Sequence, residues 1–366
     1  MNRHSLRFLY FYYFAVPLFS ILAVIVSFFA ILPHQNIVIL AGPKEGYFAR
    51  AATTIRDELA AFGIDARIDY SEDTTRIIDR LNNTDPAGPH IGFVAQDLAG
   101  VPTDSVFSLG MIAIEPLWLF APANGQVRTI RDLKGKSVSI GPPGSGVRVL
   151  SETLLGLYGI DQTNTTFVHE SIAGSEAALV AGGIDAAFFL LPSNISVIER
   201  LILRHDLQLI GIEEAEALSH KIKHLQRVVI PKGAFEVMSL HPRYDVETLA
   251  LPVTVIVSKG SGDTLSALVA NILREQYAFE TLFTKDYALP SFAYHELEPH
   301  PAAVELYDVG LPYWTQIFGK KYGLMISHAA HPIIFVFLTA VVMFGLVITY
   351  TEIIPVLISV RDLFRS

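Results

Sequence analysis

The chain contains no cysteine and little charge. Charged residues make up 17% of its 366 residues, against about 25% in an average soluble protein. Without cysteine, neither a disulfide framework nor a lipid-bearing cysteine anchor is available. The net charge is −9, and no basic cluster is larger than Lys320–Lys321. A nucleic-acid-binding surface needs a basic stripe, so this class of function is excluded.

The sequence also lacks the motifs of common enzymes and metal sites. It shows neither a G-x-S-x-G elbow nor a Ser-His-Asp arrangement. His220 and His224 are four residues apart, but His-Glu-x-x-His is absent and no third ligand lies nearby. We therefore expect no catalysis, no metal and no cofactor.

Apolar sequence is what the chain has in excess, with 51% hydrophobic residues. Residues 8–32 carry no charge, and a second apolar run covers 333–360, with Glu352 and Pro355 inside it. About 20 apolar residues are enough for a helix to span a bilayer. Both runs therefore predict transmembrane helices. The first could instead be a cleaved signal peptide, but it exceeds the usual apolar core of about 7–15 residues and no A-x-A-like site follows it.

Arginine residues flank both apolar runs on their outer sides. Arg3 and Arg7 precede the first run, and Arg361 and Arg365 follow the second. The positive-inside rule then places both termini in the cytoplasm. Two spans also require the termini to share a side, so the two observations agree.

Two similar units follow one another between the apolar runs. Residues 36–97, from NIVILAG to HIGFVAQD, alternate strand, helix, strand, helix and strand, and residues 136–191, from KSVSIG to IDAAFFLL, repeat this order. Long apolar stretches at 109–123 and 249–260 connect the units. This pattern predicts an α/β protein of two similar lobes with a hinge. Its cleft would lie at the carboxyl ends of the strands.

A loop rich in glycine and proline opens the second unit. Gly141 and Gly146 have the spacing of a phosphate loop, but Val147 and Arg148 stand where such a loop has Lys and Ser or Thr. A nucleotide is therefore not expected. Backbone amides at a helix start still suit a carboxylate or another small anion. The alternative is a plain strand-to-helix turn, filled by glycine and proline for conformational reasons. In the helix that follows, Leu150, Leu154 and Leu157 are expected on one buried face.

The candidate ligand contacts lie in the two loops and at strand ends. Phe48 fits the apolar face of the first helix, so Tyr47 is the better candidate to reach the cleft. Asp97 fits a helix cap as well as a ligand contact. Arg148 fits a solvated helix position as well as a carboxylate partner. The candidate ligand-binding residues are Glu45, Gly46, Tyr47, Gln96, Asp97, Ser145, Gly146, Val147, Arg148 and Phe189.

The loop GPPGSGVR and its helix resemble the signature region of the TAXI-type solute receptors of TRAP transporters. The segments AGPKEGYF, GFVAQD, EPLWLFAP and ELEPHPAAVELYDVGLP resemble that family too, in the expected order. The resemblance implies a type II periplasmic-binding-protein fold. It also implies capture of a small organic anion, a carboxylate or an amino acid such as glutamate, for delivery to a multi-span membrane permease. The chain departs from the family at residues 43–45, which are usually richer in Gly and Thr, and at Val147, which is usually Thr.

The expected molecule is a bilobed α/β receptor anchored by a helix at each end in a bacterial inner membrane, with its soluble part facing the periplasm or exterior. The alternatives are an extracytoplasmic sensor and a ligand-free assembly factor of a membrane complex. The expected segments are the cytoplasmic N-terminus 1–7, a transmembrane helix at 8–32, lobe 1 at 34–112, lobe 2 at 113–250, a return to lobe 1 at 251–327, a transmembrane helix at 333–360 and the cytoplasmic tail 361–366.

Overall fold

The computed structural model describes Leu18 and residues 36–44, 46–70, 76–82, 90–95, 102–222, 224–284, 289–293 and 297–327. Apart from Leu18, both predicted transmembrane segments lie outside these residues. Within the part that is described, no helix has the length and apolar character needed to cross a membrane. His34–Gly310 form one compact unit, and the described residues after Gly310 belong to another.

The first of these units contains the helices and strands that build the site. Its strands are β1 (Asn36–Ala41), β2 (Asp65–Tyr70), β3 (Ile91–Val94), β4 (Val106–Pro122), β5 (Ser137–Ser139), β6 (Thr166–Val168), β7 (Ala186–Leu190), β8 (Leu207–Ile210), β9 (Gln226–Ile230) and β10 (Val246–Ser258). Its helices are α1 (Tyr47–Ala61), α2 (Ile77–Leu81), α3 (Gly146–Leu157), α4 (Ile172–Val180), α5 (Ser196–Ile202), α6 (Ala215–Lys221), α7 (Asp263–Tyr277) and α8 (Pro301–Asp308).

The strands form one mixed sheet whose two halves have the same order. In the first half-sheet, β1 lies between β2 and β3, all three are parallel, and β3 pairs antiparallel with β10. In the second half-sheet, β5 lies between β6 and β7, again in parallel, and β7 pairs antiparallel with β4. The two predicted strand-helix-strand-helix-strand units are therefore present, as halves of one continuous sheet.

The long strands β4 and β10 join the two half-sheets. They pair antiparallel from Val106 opposite Ser258 to Pro116 opposite Ala250. Beyond that pairing, β4 continues along β7 and β8, and β10 continues along β9. The predicted apolar stretches at 109–123 and 249–260 are thus two strands that pass through both halves. Because β4 is buried along nearly its whole length, it is apolar almost throughout, as expected for a strand covered on both faces.

The first helix of each unit packs its apolar face on its half-sheet. In α1, Ile55 and Leu59 are fully buried, and Phe48 stacks on Phe93 of β3 with ring centroids 5.4 Å apart. In α3, Leu150 and Leu154 are buried as predicted. Leu157 was expected on the same face but is 44% exposed, because α3 ends at this residue.

Candidate functional site

A cavity of about 600 Å³ opens between the loop before α1 and the loop before α3. The start of α4, the ends of β2 and β7 and Glu115 of β4 complete its walls. Cavities of roughly 300–1,000 Å³ are typical of small-molecule sites. Since α1 belongs to the first half-sheet and α3 and α4 to the second, a ligand here would contact both.

The loop before α1 leaves the start of that helix open to the cavity. Gly46 closes a turn by donating its amide to the Pro43 carbonyl at 2.8 Å, and no side chain among the described residues caps the helix. Neither the Tyr47 nor the Phe48 amide has an acceptor among the described residues. Both residues line the cavity. Free amides at a helix start carry partial positive charge and favour an anion.

The loop before α3 has a similar arrangement but is held by a serine. The Ser145 hydroxyl donates to the Pro142 carbonyl at 2.6 Å and accepts from the Arg148 amide at 3.4 Å. Ser145 therefore caps α3 and fixes the loop. For Gly146 and Val147, which line the cavity, no acceptor of the amide lies within the described residues.

The start of α4 also faces the cavity. Ser171 caps this helix by accepting from the Gly174 amide at 3.2 Å. Ser175, one turn further, lines the cavity and hydrogen bonds to Ser139 of β5 at 2.7 Å. The Glu170 side chain packs against Gly174, so the positive end of this helix already has a carboxylate beside it. The attraction for an external anion is therefore greatest at α1 and α3.

Glu115 of β4 is a cavity residue that the sequence reasoning missed. It is 4% exposed, and no described residue gives its carboxyl group a hydrogen bond or an ion pair. Burial alone raises the pKa of Glu115 to about 8. It is the single ionisable residue of VFSLGMIAIEPLWLFAP, the sequence of β4. One acidic residue inside so long an apolar strand is the signal that would have identified it.

Tyr47 of α1 lies near Glu115. The pKa of Tyr47 is raised well above its ordinary value, mainly by burial and then by the proximity of Tyr277 and Glu115. Burial also raises the pKa of Tyr277, to about 12. Both phenols therefore stay neutral at physiological pH and are able to donate a hydrogen bond.

Six of the predicted site residues line the cavity together. These are Gly46, Tyr47, Ser145, Gly146, Val147 and Phe189. Phe189 is also part of the core: it is 2% exposed and meets Phe120 edge-on at 6.1 Å. Glu45, Gln96 and Asp97 lie outside the described residues.

Arg148 is not brought to the cavity. Its Nε donates to Glu152 Oε1 at 2.9 Å, one helical turn away. Arg148 is thus paired within α3, and its side chain is only 25% exposed. On the cavity wall described here, the cationic side chain is that of Lys44, an exposed residue whose Nζ lies 5.4 Å from the centre of the Tyr70 ring.

A serine and a histidine meet elsewhere, outside the cavity wall. Ser239 Oγ lies 2.6 Å from His241 Nδ1 and donates to Glu236. In a catalytic triad the carboxylate orients the imidazole from the side opposite the serine. Here the Glu236 carboxylate accepts a hydrogen bond from the serine instead, and all three residues belong to one short turn. The contact stabilises that turn and does not have the geometry of a nucleophile and its base.

Comparison with known families places the chain. The model of the NMT1-like family matches residues 95–283, just over half of the sequence. The chain belongs to the NMT1-like family. The matched part of this NMT1-like chain includes Glu115, the loop before α3 and the start of α4, while α1 precedes it.

The NMT1-like chain is also distantly similar to solved structures. Its alignment with the periplasmic aliphatic sulphonate binding protein SsuA from Escherichia coli covers 84% of this chain and 84% of that one, with 11% identity and a TM-score of 0.39. The alignment with the alkanesulfonate-binding protein SsuA from Xanthomonas axonopodis pv. citri, bound to MOPS, has 15% identity and a TM-score of 0.40. It covers 82% of this chain and 85% of that one. The alignment with the CcmR regulatory domain of Synechocystis PCC6803, in complex with 2-PG, has 14% identity and a TM-score of 0.42. It covers 66% of this chain and 96% of that domain.

Proposed function

We propose that this NMT1-like chain is a solute-binding protein that captures a small organic anion in the cavity between its half-sheets. The observation that supports this most is that the starts of α1, α3 and α4 open onto one cavity. We further propose that the two halves act as the lobes of a type II periplasmic-binding-protein-like clamp, as the TAXI-like motifs imply.

Binding would use the main chain more than charged side chains. An anion at the starts of α1 and α3 would accept from backbone amides that have no acceptor among the described residues, those of Tyr47, Phe48, Gly146 and Val147. Hydrogen bonds to a charged group contribute roughly 1.5–3 kcal/mol each. The aromatic wall, which includes Phe188 and Phe189, would exclude water and strengthen these bonds.

The finer assignment is a membrane-tethered receptor of a TRAP-type transporter, working with a multi-span permease in a bacterial inner membrane. Its support is the series of TAXI-like motifs together with the apolar runs at 8–32 and 333–360. We propose that both termini are cytoplasmic and that residues 34–327 face the periplasm or exterior. In this assignment the protein binds and presents its ligand without changing it chemically.

A thermal-shift screen of carboxylates and amino acids against the full-length protein tests the function. A ligand present at one hundred times its dissociation constant stabilises the folded state by about 2.7 kcal/mol. We expect at least one organic anion to raise the melting temperature in a concentration-dependent way. A screen in which nothing shifts the melting temperature would favour the ligand-free assembly factor.

A further inference from the structure

The position of Glu115 raises a question that anion binding does not answer. The starts of α1 and α3 favour a negative group in the cavity, yet the carboxyl group of Glu115 lies in the same wall. A carboxylate that is only 4% exposed is unfavourable unless a partner compensates for its charge. In the described residues around it, neither an arginine, a lysine nor a hydrogen-bond donor compensates for it. Two cationic side chains belong to or follow the two loops. Lys44 lies over the Tyr70 ring, and Arg148 forms an ion pair with Glu152.

Among the described residues of the cavity wall, Glu115 has a pKa that burial raises into the neutral range. Tyr47 from α1 and Tyr277 from α7 have raised pKa values and stay neutral. Lys44, Tyr70 and Glu170 also line the cavity, but on its exposed side. The strand partner of Glu115 on β10 is Leu251, which does not ionise.

We propose that Glu115 determines specificity by pairing with a protonated nitrogen of the ligand, and that it releases its own proton when the ligand binds. The inference rests on the proposed function, because it assumes that the cavity holds a small organic anion. The ligand is then an anion that also carries a cationic nitrogen. Its anionic group lies at the starts of α1 and α3, and its nitrogen lies against the buried carboxylate. In the empty cavity Glu115 holds its proton, and on binding that proton passes to solvent as the ion pair forms.

Proton release makes the inference measurable without knowledge of the natural ligand. The probes are matched pairs that differ by one amino group: butanoate and 4-aminobutanoate, hexanoate and 6-aminohexanoate, 3-phenylpropanoate and phenylalanine. Calorimetry in two buffers of different ionisation enthalpy gives both the affinity and the number of protons released. The protein is the full-length chain, in wild-type form and as Glu115→Gln. Glu199→Gln is the control, since Glu199 is an exposed residue of α5 outside the cavity wall.

We expect at least one aminated probe to bind wild type at least tenfold more tightly than its plain acid. At pH 6.5 its binding should release close to one proton. Its affinity should therefore increase as the pH rises towards about 8, by up to tenfold for each pH unit. In Glu115→Gln both the preference and the proton release should disappear, whereas Glu199→Gln should keep them. The proton count in wild type tests the inference even if Glu115→Gln does not fold.

Two results would overturn the inference, and they are distinguishable. If plain acids bind as tightly as their aminated partners and no proton is released, Glu115 does not select a cation, and the proposed function stands. Equal affinities without proton release are also what a protonated Glu115 would give if it donated a hydrogen bond to a ligand oxygen. If no probe of either kind binds, the proposed function fails and the inference fails with it.

Discussion

At the scale of single residues, Glu115 has the largest consequence because it is ionisable and lies in a strand buried on both faces. Its burial raises the pKa from 4.5 to about 8. The folded protein therefore holds a proton that the unfolded chain has lost in this range. Such a group contributes stability that is fully present below about pH 4.5 and is lost as the pH rises through about 8.

Replacing Glu115 with Gln should remove this pH dependence. In wild type, the residue should lower the free energy of unfolding by at most about 1.4 kcal/mol for each pH unit between 5 and 8. Denaturant unfolding of both proteins at pH 5.5, 6.5 and 7.5 measures the difference in slope. Equal slopes would mean that Glu115 ionises in the folded protein as it does in water. The neighbouring Tyr47 and Tyr277 do not contribute, since both stay neutral over this range.

Two glycines of the loop before α3 should respond differently to replacement by alanine. Gly141 has φ of +83°, and a Cβ there would lie 2.4 Å from Val147 Cγ1. Gly141→Ala should therefore cost about 1–3 kcal/mol of stability. At Gly146 a Cβ would meet only Leu190 Cδ2 at 3.5 Å, so Gly146→Ala should be nearly neutral. Unfolding free energies of the two variants check this, and a neutral Gly141→Ala would contradict the described loop conformation.

At the scale of helices and strands, most of the first half-sheet and second half-sheet was predictable from the sequence. Period-3.6 and apolar-strand patterns located α1, α3, β4 and β10, because burial of one helix face or of a whole strand leaves a periodic trace. The site was predicted less fully. Arg148 pairs with Glu152, which depends on the direction of its side chain. Glu115 is buried because β4 lies between other strands of the sheet, which depends on how the strands pair. Those are properties of the folded arrangement.

A charge at the start of α3 tests the role of that helix. Gly146→Asp places a carboxylate where the anion of a ligand would lie, and Gly156→Asp adds the same charge to α3 at an exposed position with open space around a Cβ. We expect Gly146→Asp to weaken binding more than tenfold, since each hydrogen bond to an anion contributes roughly 1.5–3 kcal/mol. Its melting temperature should fall only modestly. Calorimetry with a probe that binds wild type measures the affinities; unchanged affinity in Gly146→Asp would place the site elsewhere.

At the scale of the whole molecule, the two half-sheets explain how one cavity receives a helix start from each unit. Both units follow the same order, with the first strand in the middle and the third strand beside a long antiparallel partner. The first helix of each unit therefore begins at the carboxyl end of the central strand, β1 or β5. Ligand sites of open α/β sheets lie at this end. Because β4 and β10 are shared, movement of one half relative to the other would bend these two strands.

The proposed membrane topology concerns the chain beyond this unit. Residues 8–32 are uncharged and long enough to cross a bilayer, and the run at 333–360 is similar, with arginines on the outer flank of each. The positive-inside rule then predicts cytoplasmic termini, against which the pair Lys320–Lys321 counts only mildly. Reporter fusions at Ser366 and at Gly260, an exposed residue of the short 3-10 helix Lys259–Ser261, should give opposite compartments, with Gly260 external. An external reading at Ser366 would show that the chain does not cross the membrane twice, and the tethered receptor would have to be replaced by a protein held at one end.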